Sequence, residues 1–326
     1  MKAVVYTKYG SADVLQVKEV EKPSPKDDEV LIKIHAAEVT KADCELRSFN
    51  FAVKWFWLPL RLAMGIKTPK RSILGGYFSG EIESVGKDVS RLKKGDQVFG
   101  SSQLRMGAHS EYICLPSNYT IVQKPTNLTF EEAAAVPLGG LNALHFMRKA
   151  KIQSGDKVLI NGAGGSIGTF AVQIAKAMGA EVTAVDSTIK EVMLRRIGTD
   201  HFIDYTKEDF TKSGKIYDVI FNMVAQSSYT DCIKVLKPSG RYLIGNPRLS
   251  DMIRSFFTSK FTDKMAIFAF AGEKKEELVA LKEMIEAGKI KPVVDKVYSI
   301  DQISDAHRRV ETEQRLGIVI ISTISA

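Results

Sequence analysis

Cysteine is scarce in this sequence: three residues, Cys44, Cys114 and Cys232, are spread over 326 positions. An odd number of scattered cysteines argues against a disulfide framework and is typical of reduced thiols. Long apolar runs are also missing, because the most apolar stretch, residues 49–66, is interrupted by basic residues and a proline. The first residues lack the basic and apolar regions of a signal peptide. We therefore expect a cytoplasmic protein.

Low-complexity tracts and long runs of one charge are absent as well. The net charge is +8, but acidic and basic residues are interspersed, and no basic run carries interleaved aromatic residues. This distribution argues against nucleic-acid binding and indicates a mildly basic, solvated exterior. With 44% hydrophobic residues, a chain of 326 residues can bury a large core in about two domains.

The hydrophobic pattern changes along the chain. Alternating residues predict a β-rich first part, with strands at 30–36 and 80–85. After a capping box formed by Thr129 and Glu132, strands and helices alternate, which predicts βαβ units and a parallel sheet. An amphipathic helix over 273–287 and a strand over 317–322 follow. We expect this tail to fold back onto the first domain, with the α/β domain as an insertion.

The predicted strand-to-helix turn after residue 160 has the composition of a phosphate-binding loop: Gly162, Ala163, Gly164, Gly165, Ser166, Ile167 and Gly168. Glycines permit a tight turn and close approach of a pyrophosphate, whose charge is stabilised at the positive end of the helix. Asp186 ends the next predicted strand, 18 positions beyond Gly168, and suits a ribose-binding carboxylate of an NAD(H) site. Ser187 and Lys190 follow it and suit the 2′-phosphate of NADP(H), so the sequence leaves both cofactors open.

These motifs resemble the quinone oxidoreductase (zeta-crystallin-like) family of the medium-chain dehydrogenase/reductase superfamily. The matching residues extend over essentially the whole chain and include 163–168, 173–176, 95–100 and 134–137. Ser166 departs from the signature, which usually has glycine there. The resemblance implies an α/β protein with a GroES-like β-rich catalytic domain (1–125 and 273–326), a Rossmann-type doubly wound parallel-sheet cofactor domain (126–272) and a homodimeric assembly.

The resemblance also bears on metal content. Zinc-dependent relatives carry a cysteine three residues before the aspartate equivalent to Asp43, and this chain has Thr40 there. Their Gly-His-Glu motif corresponds to Gly75, Gly76 and Tyr77. A catalytic zinc needs about three protein ligands, and the histidines of this chain are dispersed, so we expect an enzyme without zinc.

Without a Lewis acid, hydride transfer suits an acceptor that is already electrophilic. We therefore expect reduction of a quinone or of an α,β-unsaturated carbonyl compound (2-alkenal or enone) by NAD(P)H. By the resemblance, the catalytic candidates are Thr40, Asp43 and Tyr77, the last as a donor to a developing oxyanion or as a packing residue. Four residues complete the cofactor candidates: Asn142, beside the nicotinamide, and Tyr205, Val224 and Gly245.

An aromatic segment that contains Phe51, Trp55 and Phe56 supplies the substrate-binding candidates. It permits three interpretations: a lid over an apolar substrate, a membrane-surface patch, or ordinary helix packing. For a second segment rich in phenylalanine, 252–270, we expect a position opposite the first or at the dimer contact. Two other functions stay open: an NAD(P)-dependent alcohol or carbonyl oxidoreductase, and a non-catalytic dinucleotide-binding redox sensor or scaffold.

Overall fold

The structure, a computed structural model, describes residues 1–51, 57–269 and 272–324. Within these residues the chain forms fifteen strands: β1 (Lys2–Val5), β2 (Gln16–Glu19), β3 (Glu29–Val39), β4 (Tyr77–Val85), β5 (Gln97–Ser101), β6 (Tyr112–Pro116), β7 (Ile121–Gln123), β8 (Lys157–Asn161), β9 (Glu181–Asp186), β10 (His201–Asp204), β11 (Tyr217–Asn222), β12 (Leu236–Ile244), β13 (Met265–Phe268), β14 (Val294–Ser299) and β15 (Ile318–Ser322). The described residues also form ten α-helices: α1 (Lys41–Ser48), α2 (Trp57–Met64), α3 (Phe130–Ala134), α4 (Pro137–Ala150), α5 (Ser166–Ala177), α6 (Glu191–Arg196), α7 (Tyr229–Lys234), α8 (Leu249–Phe261), α9 (Lys275–Glu286) and α10 (Ile303–Glu311).

Six strands form a parallel sheet in the order β10-β9-β8-β11-β12-β13. Val158, Leu159 and Ile160 of β8 are all fully buried, as expected for a strand covered on both faces. The order is that of the doubly wound dinucleotide-binding fold. In that fold successive strands are added first towards one edge of the sheet and then towards the other, and the order reverses between the two central strands. Here those strands are β8 and β11. The predicted Rossmann-type fold is confirmed.

The second large sheet has the order β14-β15-β3-β4-β5-β7, and β6 pairs with β3. β15 pairs antiparallel with β3 and parallel with β14, so the tail of the chain enters the sheet formed by its first part. The predicted GroES-like, β-rich part of the fold is confirmed. The numerical boundaries at 125/126 and 272/273 stay predictions.

Local sequence signals account for several element ends. Thr129 and Glu132 form the predicted capping box, with reciprocal hydrogen bonds of 3.1 and 3.2 Å. The predicted strand over 30–36 is longer in the structure, because β3 continues to Val39. This extension brings Glu38 into the protein interior.

None of the described helices is long and apolar enough to cross a membrane.

Candidate active site

The glycine-rich loop connects the end of β8 to the start of α5. Gly162 has a φ of +86°, a left-handed conformation that glycine adopts without steric cost. A Cβ at Gly168 would lie 2.4 Å from the carbonyl oxygen of Gly162, so only glycine lets the helix pack this closely on the loop. α5 begins at Ser166, and no side chain caps it. The first amides of the helix therefore remain for an anion, which fits the pyrophosphate of a dinucleotide.

Asp186 and Lys190 form a buried ion pair against this loop. One carboxylate oxygen of Asp186 accepts a hydrogen bond from the amide of Gly164 at 2.7 Å, and the other lies 3.1 Å from the Lys190 ammonium. The two side chains are only 7% and 8% exposed, respectively. The Lys190 stem also covers the loop, since a Cβ at Gly164 would lie 2.3 Å from its Cδ. The two predicted determinants of cofactor preference are thus in contact with each other.

Ser187 and Tyr205 border the same carboxylate. The Ser187 amide donates to the Asp186 side chain at 2.9 Å, and the Tyr205 amide donates to the Asp186 backbone carbonyl at 3.3 Å. The Tyr205 ring is exposed. Both residues therefore lie beside the predicted ribose site.

Val224 and Gly245 follow β11 and β12, at the carboxyl end of the parallel sheet where the glycine-rich loop also lies. A Cβ at Gly162 would be 3.4 Å from Cγ2 of Val224, which places this valine directly beside the loop. Asn142 is different, because its side-chain amide donates to the carbonyl of Leu138 at 2.9 Å, one turn earlier in α4. Its predicted contact with the nicotinamide stays a prediction.

Thr40 and Asp43 form a capping box at the start of α1. The Thr40 hydroxyl donates to the Asp43 carboxylate at 2.6 Å, and the Asp43 amide donates to the Thr40 hydroxyl at 3.0 Å. The second carboxylate oxygen accepts from the amide of Gly75 at 3.1 Å. Both side chains are buried and bonded within the protein. These contacts position α1 and the segment before β4, and a direct role at the substrate stays a prediction.

Tyr77, at the start of β4, is directed towards a carboxylate. Its hydroxyl donates to one oxygen of Glu273 at 2.8 Å, and the hydroxyl of Ser101, its partner in β5, donates to the other oxygen at 2.6 Å. Burial, and next the nearby Glu273 charge, raise the pKa of Tyr77 well above its ordinary value. The Tyr77 proton therefore stays on the hydroxyl, which in this structure donates it to Glu273, a residue that sequence reasoning did not identify.

Two other buried charged residues were also missed. Glu38 in β3 is completely buried, and Arg315, which precedes β15, is nearly so. A strand that ends at Ala36 leaves Glu38 outside the core, whereas the observed β3 includes it. The available signal was a single carboxylate near the end of an otherwise apolar run.

Aromatic side chains surround a cavity of about 360 Å³, which is lined by Phe49, Asn50, Phe51 and Trp57. Phe49 and Phe51 are buried and pack edge to face with ring centroids 5.2 Å apart. A neighbouring cavity of about 300 Å³ between α1 and α10 shares Asn50 and Phe51 with it. Phe51 therefore lines an apolar cavity, as a substrate-binding residue would. The other two substrate candidates, Trp55 and Phe56, lie outside the described residues.

Helix α2 follows this cavity and buries none of its residues. Leu58 and Leu62 are more than half exposed, and the Arg61 guanidinium stacks on Phe49 with 4.2 Å to the ring centroid. Ordinary packing explains Phe49 and Phe51 but not the exposed leucines of α2. The lid and membrane-surface interpretations of this segment stay predictions.

That the enzyme lacks zinc stays a prediction. Among the described residues there is no group of three or more His, Cys, Asp or Glu side chains that could hold a metal. The positions equivalent to the ligands of zinc-dependent relatives are Thr40, Gly76 and Tyr77, none of which is an ordinary zinc ligand.

Comparison with known proteins gives the family. Residues 26–126 match the family described as "Alcohol dehydrogenase GroES-like domain", and residues 197–321 match "Zinc-binding dehydrogenase". The chain is 32% identical to the 2-methylene-furan-3-one reductase of Solanum lycopersicum, over 99% of this chain and 79% of that protein. It is 29% identical to the NADPH-dependent alkenal/one oxidoreductase, chloroplastic, of Arabidopsis thaliana, over 99% of this chain and 80% of that protein. The solved quinone oxidoreductase of Coxiella burnetii aligns with a TM-score of 0.88 at 27% identity and 99% coverage of both chains.

The chain combines a glycine-rich loop at the carboxyl end of a doubly wound parallel sheet with a GroES-like sheet. This combination defines a nicotinamide-dinucleotide-dependent oxidoreductase. The chain belongs to the quinone oxidoreductase family of the medium-chain dehydrogenase/reductase superfamily. The predicted family and enzyme class are confirmed.

Proposed function

We propose that this oxidoreductase transfers hydride from NAD(P)H to a quinone or to the β-carbon of an α,β-unsaturated carbonyl compound, without zinc. The observation that carries the proposal is the glycine-rich loop at the carboxyl end of the parallel sheet, with the buried Asp186–Lys190 pair against it. Relatives named for 2-methylene-furan-3-one, alkenal/one and quinone reduction support this class of acceptor.

The protein's part in this reaction is to bind and orient both reactants. A bound reduced nicotinamide supplies hydride to an electrophilic carbon. The first amides of α5 would hold the pyrophosphate, and Asp186 would accept hydrogen bonds from ribose hydroxyls. The cavity lined by Phe49, Phe51 and Trp57 binds the apolar acceptor and excludes water. Orientation and dehydration of this kind lower the barrier without a covalent step.

Reduction of the acceptor also requires a proton. Thr40 and Asp43 are bonded to each other, and burial raises the pKa of Tyr77 well above its ordinary value. We therefore assign the proton to solvent. Tyr77 stabilises the developing negative charge on the substrate oxygen once its hydroxyl has turned away from Glu273.

The Asp186–Lys190 pair supports the use of both cofactors. An uncompensated carboxylate at this position repels the 2′-phosphate of NADPH. With the Lys190 ammonium 3.1 Å away, much of that repulsion is offset, while the carboxylate can still accept from ribose hydroxyls. NADPH is therefore a cofactor alongside NADH in this proposal.

A homodimer is part of the proposal. β13 is an edge strand of the parallel sheet, and α8 lies against it. These two elements expose several apolar side chains: Leu249, Ile253, Phe256, Phe257, Phe261, Met265 and Phe268. An open edge strand beside an apolar patch is typical of an association surface, and a two-fold axis would bring the same surface of a second copy against it.

A cytoplasmic location is also part of the proposal. The three cysteines are all free thiols, which supports a reducing compartment.

Absorbance at the reduced-nicotinamide band tests the proposed activity. The protein is mixed with NADH or NADPH and, separately, with 1,4-benzoquinone, a naphthoquinone and a 2-alkenal. We expect oxidation of the cofactor that depends on the acceptor. Cofactor binding without oxidation in any pairing would contradict the reductase and favour a redox sensor or scaffold.

A further inference from the structure

Glu38 is a buried carboxyl group that connects the GroES-like sheet to helix α5. It lies in β3, and its side chain is 0% exposed. One carboxyl oxygen accepts a hydrogen bond from the Ser166 hydroxyl at 2.9 Å. Ser166 is the first residue of α5, so this bond joins the GroES-like sheet to the helix that follows the glycine-rich loop.

The bond depends on a residue that departs from the family signature. Where the family signature usually has glycine, position 166 carries a serine that is itself buried. Glycine has no hydroxyl to donate, and the Ser166 hydroxyl does not cap its own helix. The serine therefore contributes its side chain to the contact with Glu38.

Charged and titratable groups face Glu38 from several elements. Arg315, ahead of β15, favours the ionised carboxyl, and Asp43 in α1 disfavours it. Tyr77 in β4 is close enough for its own titration to respond to the Glu38 charge. His109 lies with Nε2 3.1 Å from the backbone carbonyl of Glu38. Within the described residues, none of these groups forms a salt bridge with the Glu38 carboxyl.

The second carboxyl oxygen of Glu38 has no hydrogen-bond partner among the described residues, and the same is true of Nη1 of Arg315. Burial raises the pKa of Glu38 to about 8, because it outweighs the hydrogen bond from Ser166 and the attraction of Arg315, both of which lower that pKa. The carboxyl is therefore largely uncharged at neutral pH.

We propose that Glu38 is a positioning residue for the dinucleotide: it ties the start of α5 to the GroES-like sheet and, while uncharged, leaves the positive end of that helix to the cofactor's pyrophosphate. The inference rests on the proposed function, because it requires dinucleotide binding at this loop.

The electrostatic reasoning sets the sign of the effect. The positive end of a helix stabilises a nearby anion, and two anions near the same helix end repel each other. Ionised Glu38 adds a buried negative charge close to the two phosphates and weakens cofactor binding. By linkage, a bound dinucleotide holds Glu38 in its protonated form, so binding takes up a proton above about pH 8.

Fluorescence titration with NADH from pH 7 to 9.5 tests this inference. NADH is the probe because it lacks the 2′-phosphate, and its pyrophosphate keeps a constant charge in this range. For the natural chain we expect Kd to rise with pH above 8, with a limit of about tenfold per pH unit for one linked proton. The side chain introduced by Glu38→Gln can still accept a hydrogen bond from the Ser166 hydroxyl but cannot ionise. The Kd of NADH for this variant is therefore expected to stay level above pH 8, after correction for any pH dependence that comes from other groups. Ser166→Gly removes the tie and raises Kd at pH 7 by about two- to tenfold.

Calorimetry at pH 8.5 in two buffers of different ionisation enthalpy gives a second readout. We expect proton uptake on NADH binding by the natural chain and none by Glu38→Gln. The inference is overturned if Glu38→Gln keeps the natural pH dependence and proton uptake, or if the natural chain binds NADH with a level profile. Absence of NADH and NADPH binding at every pH would overturn the proposed function itself, which distinguishes the two failures.

Discussion

At the scale of single residues, two buried carboxyl groups meet different surroundings. Asp186 accepts hydrogen bonds from two backbone amides and faces Lys190 at 3.1 Å. Glu38 accepts one hydroxyl, and no salt bridge compensates it among the described residues. Charge on Asp186 is offset at short range, whereas burial disfavours charge on Glu38. Similar side chains thus provide an ion-paired carboxylate at the proposed ribose site and a hydrogen-bond acceptor without an ion pair behind the proposed pyrophosphate site.

Removal of the Lys190 ammonium is expected to change cofactor preference. In Lys190→Ala, Asp186 has no counter-charge and repels the 2′-phosphate of NADPH. We expect the Kd of NADPH to rise about tenfold, or about 1.4 kcal/mol, and that of NADH to change by less than about threefold. Fluorescence titration measures both. Lys207→Ala is a matched control, since that lysine is exposed and pairs with Asp204 instead. An equal loss for both cofactors would show that Lys190 does not discriminate between them.

At the scale of elements, α8 and β13 present the surface for which we propose self-association. Phe257 in α8 is 53% exposed, so Phe257→Asp removes apolar area without opening the core. We expect this variant to elute as a monomer in size-exclusion chromatography with light scattering, at concentrations where the natural chain is a dimer. Leu104→Asp is the control, because Leu104 is 83% exposed but lies between β5 and β6. An unchanged mass for Phe257→Asp would rule out this surface as the dimer contact.

Elements with a strong local pattern are the ones that sequence predicts well. β8, the glycine-rich loop and α5 follow from an apolar run, a glycine cluster and a helical repeat, and α3 follows from its capping box. The end of β3 is different, because a glutamate normally indicates solvent. Only the packing of distant parts of the chain around that strand, among them the start of α5, makes position 38 an interior one.

At the scale of the whole molecule, Glu273 ties the chain that leaves the parallel sheet to the GroES-like sheet. Tyr77 in β4 and Ser101 in β5 both donate to its carboxylate. The Thr120 hydroxyl donates to its backbone carbonyl. Three contacts thus converge on one residue just ahead of α9.

Loss of this carboxylate is expected to destabilise the fold. Glu273→Ala leaves the buried Tyr77 hydroxyl without its acceptor, which costs about 1–3 kcal/mol of the free energy of unfolding. Urea unfolding followed by tryptophan fluorescence measures the loss. Glu276→Ala is the control, since Glu276 is exposed, and is expected to change stability by less than about 0.5 kcal/mol. In a Tyr77→Phe background the Glu273→Ala cost should shrink, and fully additive costs would show that the two side chains are not coupled.

Sequence distance explains which parts of the site were predictable. Asp186 and Gly164 are 22 residues apart within one βαβ unit, and the spacing rule for such units brings them together. Glu38 and Ser166 are separated by 128 residues, and Tyr77 and Glu273 by 196. No local pattern encodes contacts of that length, because they arise only when distant parts of the chain pack together. The glycine-rich loop was therefore predicted, and these two long-range hydrogen bonds were not.

The position of β15 between β14 and β3 also sets an order of events during synthesis. The strands of the parallel sheet end at residue 268, so that sheet can assemble while the rest of the chain is still being translated. Residues 36–39 of β3 pair with β15, and this edge stays open until residue 322 has left the ribosome. β3, which is made early, thus waits for β15, the last strand among the described residues, and the nascent chain exposes this unpaired β-edge until then.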